Sequence, residues 1–466
     1  MIELKNKKVT VMGLGLYQEG SGISATKFLL SVGAKVTVTD LKTEAQLAEQ
    51  LKRLGKLKTK INFVLGKHRE QDFKNVDLIV KNPGVPASSR FLKIAKKNKI
   101  PVYTDISLFF EFFDRSRIIG ITGTRGKSTT ASLIYELIKK VDQGVILAGN
   151  IKKSPLLQLE KIKASSMAVL ELSSWMLESL ELIKKSPHIS VFTNIYPDHL
   201  NTYRGMAEYV EAKKNIFKFQ NLQDYLIINR DNPYTLQAGK EAVGRRVWFS
   251  VKYFKEENGC YLKGDNIFFR FDGVEQKVCS LKDITLAGKH NLENVLAAVA
   301  VASIFGVKVK DIKSVLKSFK GIEDRLELLK EVGGVKYYND TTSTTPEATM
   351  AALRTLGQSE KKIVLIAGGS DKGLEFKELI KEIKKYCKAV VLLKGSGTER
   401  LKPLLFEFKN LPLFEVDSMS SAVKLAQSLA VKQDYVLLSP ACASFGMFVN
   451  EFDRGAQFRK LVGKLK

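Results

Sequence analysis

The sequence predicts an α/β protein of three domains, each built on a mostly parallel sheet. Three observations predict it. Short apolar runs alternate with helix-like segments along the whole chain. Several of those runs end in glycine turns or on a carboxylate, as strands do at the ligand edge of an open α/β sheet. The length, 466 residues at 44% hydrophobic, supports about three cores. The boundaries are placed at residues 1–104, 105–321 and 322–466.

The first block opens with a strand, Val9–Met12, that runs into Gly13-Leu-Gly15. A helix follows through Ser24–Ser31, then a strand, Lys35–Asp40, ending on an acid. This βαβ unit is Rossmann-like. The dinucleotide fingerprint G-x-G-x-x-G fails, because Gln18 stands where its last glycine belongs, which argues against NAD. Gly20 and Gly22 point instead to a lengthened loop at a nucleotide-type site. Asp77–Val80 is a further strand, closed by the turn Lys81-Asn-Pro-Gly-Val-Pro86.

The central block begins with the buried strand Ile118–Ile121, a glycine-bearing turn and a helix. Gly123 and Gly126 let backbone N–H groups, including that of Thr124, crowd onto a phosphate. Lys127 adds a point charge, and Ser128 or Thr129 places a hydroxyl for Mg²⁺. The usual spacing G-x-x-x-x-G-K-[ST] is not met, since Ile121 stands five residues before Gly126. An ordinary glycine turn is the bland alternative; the coincidence of lysine, hydroxyls and strand–helix context favours phosphate, so the block reads as a P-loop-type ATPase domain. Strands follow at Met167–Glu171, Ile189–Thr193, Leu226–Asn229 and Val247–Val251. Turns at Asn258-Gly, Lys263-Gly-Asp and Asp272-Gly mark an antiparallel appendage over residues 253–286, and a helix with the apolar face Val295–Ala302 starts near His290. The third, again Rossmann-like block has strands at Val335–Asn339, Lys362–Ala367, Ala389–Leu393 and Tyr435–Leu438.

Composition excludes several classes. No apolar run reaches the ~18 residues of a membrane span. The first residues lack the apolar core and cleavage site of a signal peptide, and the four cysteines (Cys260, Cys279, Cys387, Cys442) form no C-x-x-C pair. A cytoplasmic protein with reduced, mostly buried thiols is expected. The net charge of +26 is spread as lysine pairs such as Lys96-Lys97 and Lys384-Lys385 rather than gathered in one patch. Such pairs read as solvated helix faces, though a basic surface also draws polyanionic small substrates. Nucleic-acid binding would require clustered arginines with interleaved aromatics, which the sequence does not display.

Laid end to end, six motifs make the chain resemble the Mur ligase family over its whole length. They are Thr122-Gly-Thr-Arg-Gly-Lys-Ser-Thr-Thr130, Glu171-Leu-Ser-Ser-Trp-Met-Leu-Glu178 and Asn194-Ile-Tyr-Pro-Asp-His-Leu200. Gly288-Lys-His-Asn-Leu-Glu-Asn294, Asn339-Asp340 and Leu438-Ser-Pro-Ala-Cys-Ala-Ser444 complete the set. Within the family the glutamate-adding branch is the nearest. The resemblance implies an ATP-dependent amide ligase of peptidoglycan precursor synthesis, joining glutamate (expected D-Glu) to UDP-N-acetylmuramoyl-L-alanine through an acyl phosphate.

The resemblance also implies roles. Lys127 clamps phosphate, and Ser128 or Thr129 and Glu171 hold one Mg²⁺. His199 and Lys213, the latter matching the family's carbamylated lysine, serve a second. Lys214 beside it leaves a register ambiguity. Asn294, Arg325 and Asp340 go to ATP, with Arg325 and Asp340 reaching it when the third domain closes. Leu16, Tyr17, Asp40, Lys42, Asn82, Asn150 and Asn291 go to the nucleotide substrate. Thr344, Lys372, Ser444 and Phe445 go to the incoming glutamate. The partners implied are small molecules acting on a monomer, without nucleic acid or membrane insertion.

The amino-acid pocket departs from the family pattern. Thr342 occupies a lysine position, and Glu451 occupies a usually aromatic one, with Phe452 next to it. An uncompensated Glu451 would repel a dicarboxylic amino acid. A sister ligase using another amino acid (such as L-Glu), including a folylpolyglutamate-synthase-like one, is therefore the nearest alternative. A basic ATP-binding protein acting on nucleic acid is the remote one.

Overall fold

The structure, a computed structural model, describes the chain apart from residues 1, 16–19, 87, 152, 199–201, 256, 287, 358–361, 408–409 and 466 and the side chains of 289 and 290. The first sheet is formed by β1 (Lys8–Met12), β2 (Lys35–Asp40), β3 (Ile61–Leu65), β4 (Leu78–Lys81) and β5 (Val102–Tyr103), with α1 (Ser21–Ser31), α2 (Ala48–Leu54) and α3 (Arg90–Lys97) between them. Its order is β3-β2-β1-β4-β5 and every pairing is parallel. The order reverses between β1 and β4, so the loops after these strands flank one crevice, where open α/β sheets bind ligands.

After α4 (Asp105–Phe112) the second sheet begins with β6 (Ile118–Thr122), followed by α5 (Lys127–Ile138), β7 (Ile146–Gly149), β8 (Ala168–Glu171), α6 (Ser174–Leu182) and β9 (Ile189–Phe192). It continues through α7 (Met206–Lys214), β10 (Tyr225–Asn229), α8 (Pro233–Gly239) and β11 (Arg245–Ser250). The predicted appendage is β12 (Gly259–Lys263), β13 (Asn266–Phe271) and β14 (Val274–Ser280); α9 (Lys289–Ile304) and α10 (Val309–Ser318) close the block. The sheet order is β14-β13-β12-β11-β10-β9-β6-β8-β7, antiparallel within β12–β14 and parallel elsewhere. β6 is buried along its whole length between β8 and β9, which puts the ends of all three at one crevice.

The third sheet comprises β15 (Glu327–Val332), β16 (Val335–Asn339), β17 (Ile363–Gly368), β18 (Cys387–Leu393), β19 (Leu413–Val416) and β20 (Tyr435–Leu438). Helices α11 (Pro346–Leu356), α12 (Lys377–Tyr386), α13 (Ser396–Phe406), α14 (Met419–Leu429) and α15 (Glu451–Gly463) accompany it. In the order β15-β16-β20-β17-β18-β19 only β15 runs antiparallel to its neighbour.

Among the described residues the chain divides into two compact units, residues 1–285 with 289–318, and residues 286–288 with 319–466. Within the first unit one buried apolar cluster runs without a break from Val9 and Phe28 through Ile106 and Phe109 to Ile118 and Phe192, so the first two sheets share a core. Thr104 and Ser179 reinforce that junction with a buried hydroxyl pair at 2.8 Å. The four cysteines are buried, and none forms a disulfide.

Three arginines lie over aromatic rings in space: Arg230 over Phe254 (4.6 Å), Arg245 over Phe271 (4.5 Å) and Arg270 over Tyr261 (4.8 Å). Arg230 and Arg245 meet their rings across about 25 residues of sequence and Arg270 across one hairpin, because β10–β13 are neighbours in space. Each guanidinium is also ion-paired, to Glu257, Asp272 and Glu275 respectively, so the row is a self-neutralised packing feature.

Candidate active site

Two crevices in the first unit gather most of the singled-out residues. At the end of β6 the chain turns sharply. Gly123 has φ +148°, and a Cβ there would sit 1.9 Å from Thr193 Oγ1. Gly126, at φ +81°, caps α5 from the left-handed region, and a Cβ there would meet Asn294 Oδ1 at 2.2 Å. Only glycine fits either place. The turn is braced from β9: Thr124 N donates to Asn194 O (2.9 Å), Arg125 N to Asn194 Oδ1 (2.9 Å), and Thr193 Oγ1 to Arg125 O (2.7 Å). With its peptides fixed, the turn aims the positive dipole end of α5 at a site suited to an anion.

Two lysines converge on this turn. Lys127 Nζ donates to Gly123 O and Thr124 O, both at 3.0 Å. Lys213 Nζ donates to the same Gly123 O at 2.9 Å and lies 4.8 Å from the Tyr209 ring centre. Lys213 is only 2% exposed, and burial, aided by the charge of Lys127, holds its ammonium well below the usual lysine range. Lys214 points elsewhere, pairing with Glu211 (2.7 Å) and Glu241. The geometry thus separates the two lysines that sequence left ambiguous. Ser128 is buried in the first turn of α5, and Thr129, next to it, is half-buried.

Glu171 ends β8 and is 1% exposed. Its Oε1 accepts from Asn150 Nδ2 at 2.9 Å, whereas its Oε2 is buried with no hydrogen-bond partner. The N-cap role is filled instead by Ser173, whose side chain accepts from Met176 N. A buried carboxylate oxygen left unpaired costs on the order of 1–3 kcal/mol or more unless a cation takes it up. Beside a phosphate cradle it fits Mg²⁺, which commonly takes one or two carboxylates and completes its shell with phosphate oxygens and water. Across α5, Asn294 Oδ1 accepts from Thr130 Oγ1 (3.2 Å) and its Nδ2 donates to Asn291 Oδ1 (3.3 Å). His199 lies outside the described residues.

The other crevice is at the first sheet. Asp40, at the end of β2, accepts from Leu14 N on Oδ2 and from Lys42 N on Oδ1, each at 2.9 Å, so it fastens the Gly13–Gly15 loop. Asn82 closes the opposite wall, accepting from Gly84 N (3.1 Å). Gly22 packs so closely that a Cβ would fall 2.3 Å from Gly13 O, the close helix–loop approach that the third fingerprint glycine normally provides. Lys42 is exposed, and Leu16 and Tyr17 are outside the described residues.

In the second unit the ends of β16, β17 and β20 form a third crevice. Asp340 Oδ1 accepts from Leu326 N (3.1 Å) and Oδ2 from Ser439 Oγ (2.7 Å), fixing the turn that carries exposed Arg325. Burial pushes the Asp340 carboxyl up to about 6. Lys372 Nζ donates to Thr344 Oγ1 (2.8 Å), Ser444 Oγ is buried without a partner, and Phe445 is 63% exposed. Thr342 turns its hydroxyl to Asp324 O (2.9 Å), a loop-bracing role. Motif reading left Asn194, Tyr209 and Arg454 without roles, although all three bind the loops of these crevices; Asn194 lay inside a quoted motif, and Arg454 one helical turn past Glu451.

A braced phosphate turn beside a partnerless buried carboxylate, at the strand-end edge of a mostly parallel α/β sheet, marks a site of the metal–nucleotide-binding class. The chain matches the MurD-like N-terminal domain of Mur ligases over residues 7–104, the Mur ligase middle domain over 121–302 and the Mur ligase glutamate ligase domain over 324–442. It is 40% identical to the UDP-N-acetylmuramoylalanine–D-glutamate ligase of Roseiflexus sp. (strain RS-1), covering 99% of each chain, and 41% identical to that of Borreliella afzelii (strain PKo), again at 99% of each. The fold also matches UDP-N-acetylmuramate–alanine ligase of Thermotoga maritima (TM-score 0.60, 17% identity, 98% and 99% covered). A MurF ligase of the same organism in complex with ADP matches with a TM-score of 0.55 at 18% identity, 99% and 96% covered. The chain belongs to the Mur ligase family. The two full-length relatives named here are both its D-glutamate-adding ligases.

Proposed function

We infer that the protein is an ATP-dependent ligase that joins D-glutamate to UDP-N-acetylmuramoyl-L-alanine, a step of peptidoglycan precursor synthesis, through an acyl phosphate. The partnerless Oε2 of Glu171 beside the α5 turn carries this reading: it supplies the anion a metal–nucleotide needs where the turn supplies the cations. The first step brings a carboxylate to the γ-phosphoryl group, so like charges must be held in line and screened. Gly123 and Thr124 shape the turn, and the backbone of residues 126–129 with Lys127 holds phosphate; leaving its two carbonyl acceptors lets Lys127 neutralise the triphosphate. Mg²⁺ would lie with Ser128 or Thr129 and Glu171, and a second ion with His199 and carbamylated Lys213; the metals supply charge screening and polarisation of the phosphoryl oxygens. Burial of Lys213 favours the neutral amine, the form that takes up CO₂.

Asn150, Asn291, Asp40, Lys42 and Asn82, with Leu16 and Tyr17, belong to the nucleotide substrate in this reading. Asn294, Arg325 and Asp340 serve ATP, and Thr344, Lys372, Ser444 and Phe445 the glutamate. The protein acts as a monomer with domain limits near 104/105 and 321/322. Phosphate release is expected only when ATP, Mg²⁺, the UDP-linked substrate and D-glutamate are present together. Release with some other amino acid and none with D-glutamate would overturn the assignment. A ¹³C carbonyl signal on the protein in labelled bicarbonate, absent from K213R, tests the carbamate.

A further inference from the structure

The main part of the second unit begins at Phe319, and an early turn in it carries Arg325. Asp324 has φ +67° and Leu326 has φ +45°, so residues other than glycine stand in the left-handed region on both sides of Arg325. A leucine seldom adopts that conformation, and it persists only where its surroundings impose it. Here they do. Leu326 N donates to Asp340 Oδ1 (3.1 Å), Asn339 Nδ2 to Asp324 Oδ1 (2.8 Å) and Asp324 N to Glu327 Oε2 (2.9 Å).

The remaining hold comes from α15. Arg459 Nη2 donates to Asp324 Oδ1 and to Glu327 Oε2, both at 2.9 Å, and Nη1 pairs with Glu323 Oε1 at 3.0 Å. Gly455, one helical turn earlier, makes room for this: a Cβ there would fall 2.5 Å from Asp324 Oδ1. Asp324 is buried and Arg459 half-buried, so the three carboxylates and the guanidinium form a network rather than a lone exposed pair. All three carboxylates belong to residues within two positions of Arg325. Arg325 is nevertheless exposed, and among the described residues no carboxylate pairs with it. Without Arg459, the cation next to each of these acids in the chain is Arg325 itself.

Resting on the function proposed above, in which Arg325 serves ATP, we infer that Arg459 is a positioning residue for Arg325. It takes up the carboxylates that flank Arg325 and holds the left-handed turn, which leaves the Arg325 guanidinium available to the anion of the nucleotide. Arg459 needs no substrate contact of its own for this. A lysine in its place keeps the charge but lacks the planar fork that reaches Asp324, Glu327 and Glu323 together.

The test uses the full-length enzyme with R459M, R459K, R325M and the double variant R325M/R459M. Initial rates give kcat and KM for ATP, D-glutamate and the UDP-linked substrate. R325M should lower kcat/KM for ATP at least about tenfold. R459M should lower it about fivefold or more, with KM for D-glutamate and for the UDP-linked substrate moved less than about twofold; R459K should fall between R459M and the wild type. In the R325M background the further loss from R459M should shrink below about twofold, because the residue it serves is already gone. A merely structural role would move all three KM values together and multiply its loss in full onto R325M; either result overturns the inference. Should R459M not fold, D324N keeps an acceptor for Asn339 but loses the charge that Arg459 holds, and it is combined with R325M and read by the same rule. If R325M leaves kcat/KM for ATP unchanged, the assignment of Arg325 to ATP fails and this inference with it. If R325M is impaired and the R459M loss is multiplied in full, the inference alone fails.

Discussion

Glu171 is committed on one oxygen and open on the other. Asn150 holds Oε1, which fixes the direction in which Oε2 faces. E171Q preserves the size and one acceptor but removes the anion. Its kcat should fall by about 10²–10³-fold, as when a preorganised charge is lost, while the melting temperature stays the same or rises. Steady-state rates over a Mg²⁺ series with thermal melts check both halves. Asp340 makes a second residue-level prediction. Its carboxyl titrates near 6 in the folded chain against about 3.9 when unfolded. Between those values the folded chain keeps a proton that the unfolded chain has lost, so this group's contribution to stability falls as pH rises from about 4 to 6. The full effect is on the order of 3 kcal/mol. Denaturant titrations without nucleotide should show this fall in the wild type and a flatter difference curve for D340N.

The α5 turn shows how tightly one element is specified. Its glycine at 126 both supplies a left-handed cap and makes room for Asn294. G126A is expected to cost about 1–3 kcal/mol in strain and clash and to weaken ADP binding at least about tenfold. Equilibrium binding of ADP and chemical denaturation measure the two separately. Elements of this kind were legible from sequence because a buried strand reads as an apolar run and a phosphate turn needs glycines and lysine in fixed order. β6, β9, β16 and β20 start or end within a residue or so of their predicted positions. Others were not legible. β15, Glu-Leu-Leu-Lys-Glu-Val, is a partly exposed edge strand with a charge pattern that suits a helix, and β19 is another edge with little buried surface. Gly22 performs a fingerprint role from a position that no fixed spacing includes. The arginine–aromatic contacts and the hydrogen bonds of Arg454 to Thr341 and Cys442 depend on strand adjacency and loop closure, which local sequence does not encode.

At the scale of the molecule, each compact unit has its own sheet system and buried core. Denaturant unfolding is expected to depart from a single two-state transition, and intrinsic fluorescence should report the first unit, which holds both tryptophans, Trp175 and Trp248. A single coincident transition by fluorescence and circular dichroism would show the units to be energetically one. The continuous core beneath the first two sheets has a different consequence. The crevice assigned to the uridine end and the crevice assigned to the γ-phosphate are carved in one body, without a hinge of its own core between them. Their separation is therefore fixed, and the body works as a ruler. A UDP-linked acid of the right reach lays its carboxyl at the phosphate turn. The product, longer by one residue, carries its new carboxyl groups past that mark. On the proposed function, addition would stop after a single glutamate, the count being kept by length rather than by recognition of the finished product.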